Sequence, residues 1–131
     1  MNVRSNSDPL IGCTVWVIPE GYIPSLSMSD AQPYVSHEAA CILNTTDVRA
    51  EIEITLFFED RPPVGPYFTS VDAHRTRHLR FNDLTEPEPV PRDTSYSSII
   101  RSNVPVIVQH TRLDSRDPHI ALLTTLAFPA S

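Results

Sequence analysis

The chain predicts an all-β fold, an antiparallel β-sandwich or jelly-roll-like single domain, on three observations. Thirteen prolines and three glycines punctuate short apolar segments, the spacing of strands joined by turns. Residues 49–59 alternate apolar and polar with period two, the mark of a half-buried strand. A length of 131 residues suits one domain that can close a core without disulfides or metals.

The elements follow in order. Residues 1–12 read as a flexible N-terminal arm, with no apolar stretch of the kind that directs export. The sandwich domain is expected over residues 13–128 and a short tail over 129–131. Residues 13–18 form the first strand, stopped by a turn at Pro19-Glu20-Gly21. Residues 23–33 are a polar loop, and 38–44 the next strand. Within 49–59, Ala50, Ile52, Ile54, Leu56 and Phe58 face one way, and Glu51, Glu53, Thr55 and Glu59 the other. Arg61-Pro62-Pro63-Val64-Gly65-Pro66 ends the ladder, because proline has no N–H to donate. Residues 67–71 and 73–81 are further strand pieces, and Glu86-Pro87-Glu88-Pro89-Val90-Pro91 is an extended, polyproline-like connector. Residues 94–101 are the one stretch read as helical, capped by Asp93 or Thr94. Residues 104–110 and 120–128 are the last strands, with a turn at 114–119. The 104–108 segment, weakly charged, is the strand an oligomer is expected to cover.

Composition narrows the function. Apolar residues make up 40% of the chain and charged residues 20%, a globular profile. No apolar run approaches the roughly 18–20 residues of a membrane-spanning helix, so a cytoplasmic protein is expected. The net charge of -6 creates no field that draws the chain to nucleic acid. All ten basic residues are arginine, the side chain suited to bidentate contact with carboxylate and phosphate. Cys13 and Cys41 lie in apolar segments without basic neighbours in sequence and read as buried free thiols.

Three polar groupings could carry chemistry. Ser36-His37-Glu38 sets an imidazole beside a carboxylate, but neighbours on a strand point to opposite faces, so the pair does not share one site. The bland alternative is a strand-start histidine and a paired glutamate. Asp72 to Phe81 is the densest cationic stretch: even positions place His74, Thr76, His78 and Arg80 on one face, and odd positions place Arg75, Arg77, Leu79 and Phe81 on the other. His74 and His78 stand about 13 Å apart along a strand, too far to share a metal that holds nitrogens at about 2 Å. That face reads as a solvated surface, a polar ligand groove, an oligomer interface or a phosphate contact. Gln109-His110-Thr111-Arg112-Leu113-Asp114-Ser115-Arg116 is the third grouping, a strand end and turn stitched by Arg–Asp pairs or a binding edge. No nucleophile–base motif and no glycine-rich phosphate loop is present, so no enzyme, cofactor or metal is expected. Trp16 reads first as core, and with Glu20 and Tyr22 as a flank for a sugar-like ring.

Several of these motifs resemble the sensory rhodopsin transducer family. They are Trp16-Val17-Ile18-Pro19-Glu20-Gly21-Tyr22-Ile23-Pro24, Ser36-His37-Glu38 with Cys41-Ile42-Leu43-Asn44, Val64-Gly65-Pro66-Tyr67, Arg77-His78-Leu79-Arg80-Phe81-Asn82-Asp83-Leu84, Ser102-Asn103-Val104-Pro105 and Val108 through Arg116. The chain departs from the family pattern in the first dozen residues, in 25–33 and in the short end after Phe128. The resemblance implies a small β-sandwich that forms a homotetramer and docks to the cytoplasmic face of a membrane sensory rhodopsin. It also implies two alternatives, a module for sugar-like small molecules and a DNA-associated regulator with weak DNA binding. Trp16, Glu20, Tyr22, His37, Glu38, Arg77, His78, Arg80, Asn82, Gln109, His110 and Arg112 are the candidate ligand or interface residues.

Overall fold

In the computed structural model, residues 10–31 and 34–131 are described. Most of the expected N-terminal arm, residues 1–9, lies outside them, as do Gln32 and Pro33 of the polar loop. Among the described residues there are eight strands and one 3-10 turn. The strands are β1 (Cys13–Tyr22), β2 (His37–Asn44), β3 (Ala50–Phe57), β4 (Val64–Val71), β5 (Arg75–Arg80), β6 (Ser95–Asp114), β7 (Ala121–Leu126) and β8 (Phe128–Pro129); the turn is Phe81–Asp83. All pairings are antiparallel, as the sequence predicts.

One strand organises the molecule. The first half of β6 pairs with β1 and β3, giving a sheet ordered β4-β3-β6-β1-β8. Its second half pairs with β2 and β7, giving a second sheet ordered β5-β2-β6-β7. Side chains from both sheets meet in one core: Trp16, Ile18, Ile52, Ile54, Leu56 and Ile100 from the first, Ala40, Ile42, Leu79, Val106 and Val108 from the second. Pro105 falls between the last β3 partner, Ser102, and the first β2 partner, Ile107. The strand changes sheets there, so the missing N–H does not interrupt a full ladder.

Several element readings are corrected. Residues 94–101 are not helical: Thr94 precedes β6 and residues 95–101 are its first half, with Tyr96, Ser98 and Ile100 buried. Neighbours on both sides, Trp16 through Tyr22 and Ile52 through Phe57, hold this segment extended. Residues 104–108, expected to be an exposed strand, lie at the centre, with Val106 and Val108 fully buried. Pro19-Glu20-Gly21 is a bulge within β1 rather than a turn, since the register shifts between Ile18 and Gly21; such an insertion is where a strand tolerates proline. β4 begins at Val64 despite Pro66, because it is the outer strand of its sheet. The alternation in β3 stands as predicted: Ala50, Ile52, Ile54 and Leu56 are buried while Glu51 and Glu53 face solvent.

Candidate functional site

The antiparallel register of β2 against β6 sets Glu38 opposite Arg112 and Ala40 opposite His110. Glu38 therefore points inward toward both side chains, and it is 0% exposed. Its Oε2 accepts from Arg112 Nε at 2.5 Å and from the Tyr22 backbone N–H at 2.9 Å. Its Oε1 is bound to His110 Nε2. A carboxylate with no water contact is tolerable only when its lone pairs are filled this way. Asn82 closes the end of the cluster: its Oδ1 accepts from the Glu38 N–H at 3.3 Å, and its Nδ2 donates to the Ser36 carbonyl at 3.0 Å. Ser36 Oγ in turn accepts from the Ser115 N–H at 3.0 Å. These contacts tie together β1, β2, the Phe81–Asp83 turn and the end of β6.

Tyr96 sits beside this cluster. Burial, and after it the Glu38 charge, pushes its phenol well above the usual range. Its Oη and Ser98 Oγ are buried with no hydrogen-bonding partner among the described residues. Its ring lies against Phe81, centroids 5.6 Å apart, and over Gly21. A Cβ at position 21 would stand 2.5 Å from the ring, so only glycine fits the strand there.

A second constellation occupies the outer face of β5 and its outer edge, β5 pairing with β2 alone among the described residues. Arg77, His78 and Arg80 line a groove of about 300 Å³ with Thr69, Asp83 and Glu86. Arg77 reaches across the sandwich edge to donate to the Ser70 carbonyl at 3.0 Å. His37 and His78 meet edge to face with centroids 6.2 Å apart. Burial is the main cause that holds the His37 ring below its ordinary range; its bond to the Val35 carbonyl opposes this, and the charges on Arg80 and His78 add to it. Cys41 Sγ lies 3.0 Å from His78 Nδ1. The reading of Cys13 and Cys41 as buried thiols is corrected, since both are half-buried; no basic residue neighbours Cys41 in sequence, but the register of β2 on β5 places His78 directly opposite it.

The model of the family described as Anabaena sensory rhodopsin transducer matches residues 11–129. This chain belongs to that family. The solved structure of the Anabaena sensory rhodopsin transducer is 54% identical, with a TM-score of 0.74, over 82% of this chain and 94% of that one. The crystal structure of Thermotoga maritima 1070 is 37% identical, with a TM-score of 0.82, over 92% of this chain and 97% of that one. A search of curated proteins gave no match.

In this transducer-family chain the candidate residues fall into distinct places. Glu38, His110, Arg112, Asn82 and the Tyr22 backbone form the buried cluster, with the Tyr22 ring beneath the Arg116 guanidinium at 5.5 Å. Arg77, His78, Arg80 and His37 gather at the β5 edge and its outer face. Gln109 is exposed on β6 opposite Cys41. Trp16 is core, its indole N–H shared between the Cys13 and Val106 carbonyls at 3.1 and 3.0 Å. Glu20 is exposed and lines a small cavity of about 180 Å³ with Phe57, Phe58 and Tyr96. Among the described residues, no group of three or more His, Cys, Asp or Glu is placed to hold a metal ion. Among them, too, no helix is long and apolar enough to cross a membrane. The sequence reading missed Tyr96 and the Cys41–His78 pair, because both depend on strand register.

Proposed function

We propose that this chain is a cytoplasmic, non-enzymatic signalling adaptor that docks to the cytoplasmic face of a membrane photoreceptor. The observation that carries the reading is its membership of the transducer family over residues 11–129. Its charge of -6 complements the basic cytoplasmic loops typical of membrane receptors. The working form is a homotetramer. In support of it, Leu122, Leu123 and Leu126 of β7 are exposed, and β7 pairs with β6 alone among the described residues. An uncovered apolar edge strand of this kind calls for a partner. The test is capture of the rhodopsin encoded in the same genome, in detergent, at low and at high salt. Binding at low salt that weakens with added salt is expected; no capture at low salt overturns the reading.

A second reading, a module for small anionic or hydroxyl-rich ligands, is favoured by the groove that gathers Arg77, His78 and Arg80. Thermal shift against sugars and nucleotides tests it. A ligand at about 100 times its dissociation constant adds about 2.7 kcal/mol, and the shift should vanish in Arg80→Ala. Salt-sensitive binding of DNA through Arg75, Arg77 and Arg80 would instead favour a regulator.

A further inference from the structure

We propose that Cys41 is a reversible thiol-modification site, activated by His78, that takes anionic low-molecular-mass disulfides of the glutathione type. The proposal stands apart from the receptor reading and rests on the outer face of the β2–β5 pair. Cys41 and His78 are directly opposed there, with Sγ 3.0 Å from Nδ1. With Nδ1 unprotonated, the thiol donates to it and can pass its proton across without moving. An imidazole so placed is the usual activator of a cysteine nucleophile.

Nitrogen-bearing side chains gather on this face. His78 and Arg80 come from β5, and His37 from β2, its ring edge to face with His78. The β6 neighbours on the same face, Gln109 and Thr111, are uncharged. Asp83 and Glu86 line the adjoining groove together with His78 and Arg80. Cys41 is half-buried and His78 exposed, so a small disulfide can reach the sulfur. Cys13, the other cysteine, is likewise half-buried, packs against the hydrophobic core and supplies an internal reference.

The exchange balances without a further reagent. The Cys41 proton moves to His78. The thiolate attacks one sulfur of the disulfide, a new S–S bond forms and the old one breaks. The departing thiolate takes a proton from the His78 imidazolium or from water. Cys41 is oxidised and half of the disulfide is reduced to free thiol. Reducing thiols reverse the step by the same path.

The experiment uses the full chain with oxidised glutathione and follows each cysteine by peptide mass spectrometry. Cys41 should form the mixed disulfide at least about tenfold faster than Cys13 in the folded protein. The advantage should vanish when the chain is unfolded in guanidinium. His78→Asn should slow Cys41 toward the Cys13 rate and leave Cys13 unchanged, with an unaltered melting temperature showing that the fold holds. If that variant does not fold, the folded-against-unfolded comparison in the native chain decides the matter. Reaction with neutral 2-hydroxyethyl disulfide should be slower than with glutathione disulfide. Equal rates at the two cysteines, a Cys41 rate that does not fall on unfolding, or a folded His78→Asn that reacts as the native chain overturns the proposal; equal rates with the two reagents overturn its anionic preference.

Discussion

Replacing Glu38 by alanine should be among the most damaging single changes in this protein. The carboxylate is 0% exposed and holds Arg112, His110 and the Tyr22 amide. Its removal leaves a guanidinium without its counter-charge, together with an unsatisfied N–H. Breaking a buried pair costs about 3–5 kcal/mol. The Arg112 side chain is 26% exposed and the His110 side chain 11%, so water recovers part of the loss. The lower end, about 3 kcal/mol, is expected. At about 2.1 cal/mol/K per residue over 131 residues, the unfolding entropy is about 0.28 kcal/mol/K. The melting temperature should therefore fall by about 10 °C. Calorimetry on Glu38→Ala, Glu38→Leu and the double variant Glu38→Leu/Arg112→Met separates charge from packing. The double variant should recover most of what Glu38→Leu loses, because it strands no charge. A loss below about 1 kcal/mol in Glu38→Ala, or a double variant as weak as the sum of its parts, would refute the account.

Other expectations follow from the same geometry. Gly21→Ala should destabilise by about 1–3 kcal/mol, seen in denaturant melts, because its Cβ would drive into the Tyr96 ring. The His37 ring is held below its ordinary pKa of 6.5 chiefly by burial, so the unfolded chain takes up this proton first as acid is added. Its contribution to stability is thus present above pH 6.5 and lost as pH falls through the lower folded value; His37→Gln should flatten the stability–pH curve in that window, measured by urea melts. Leu123→Ser/Leu126→Ser, both on the exposed β7, should lower the assembled mass in light scattering while leaving the far-ultraviolet dichroism unchanged.

How much could be read from the chain depended on how local each signal was. The β3 strand was legible because its inner face is uniformly aliphatic and its outer face acidic. The first half of β6 was not, because buried Ser98 breaks the apolar side of the pattern and Ile99 stands on the other face. Two flanking strands impose the extended form, and propensity within residues 94–101 could not report them. The buried cluster was half legible. Glu38, His110 and Arg112 were singled out as residue types, but their meeting is a product of the β2–β6 register across more than seventy positions. Cys41 and His78 are 37 residues apart and meet for the same reason.

The shared strand also bears on how the chain comes together in time. In the first sheet, β6 is the strand that joins the β3–β4 pair to β1; in the second it flanks β2. It arrives late, at residues 95–114. During synthesis β1 must wait for most of the chain before it gains a neighbour, and long-range pairing of this kind is slow and exposes apolar edges. A fragment stopped at residue 93 should accordingly remain unstructured, whereas the whole chain should fold both layers in a single step, like a book whose pages are held only by the spine sewn in near the end.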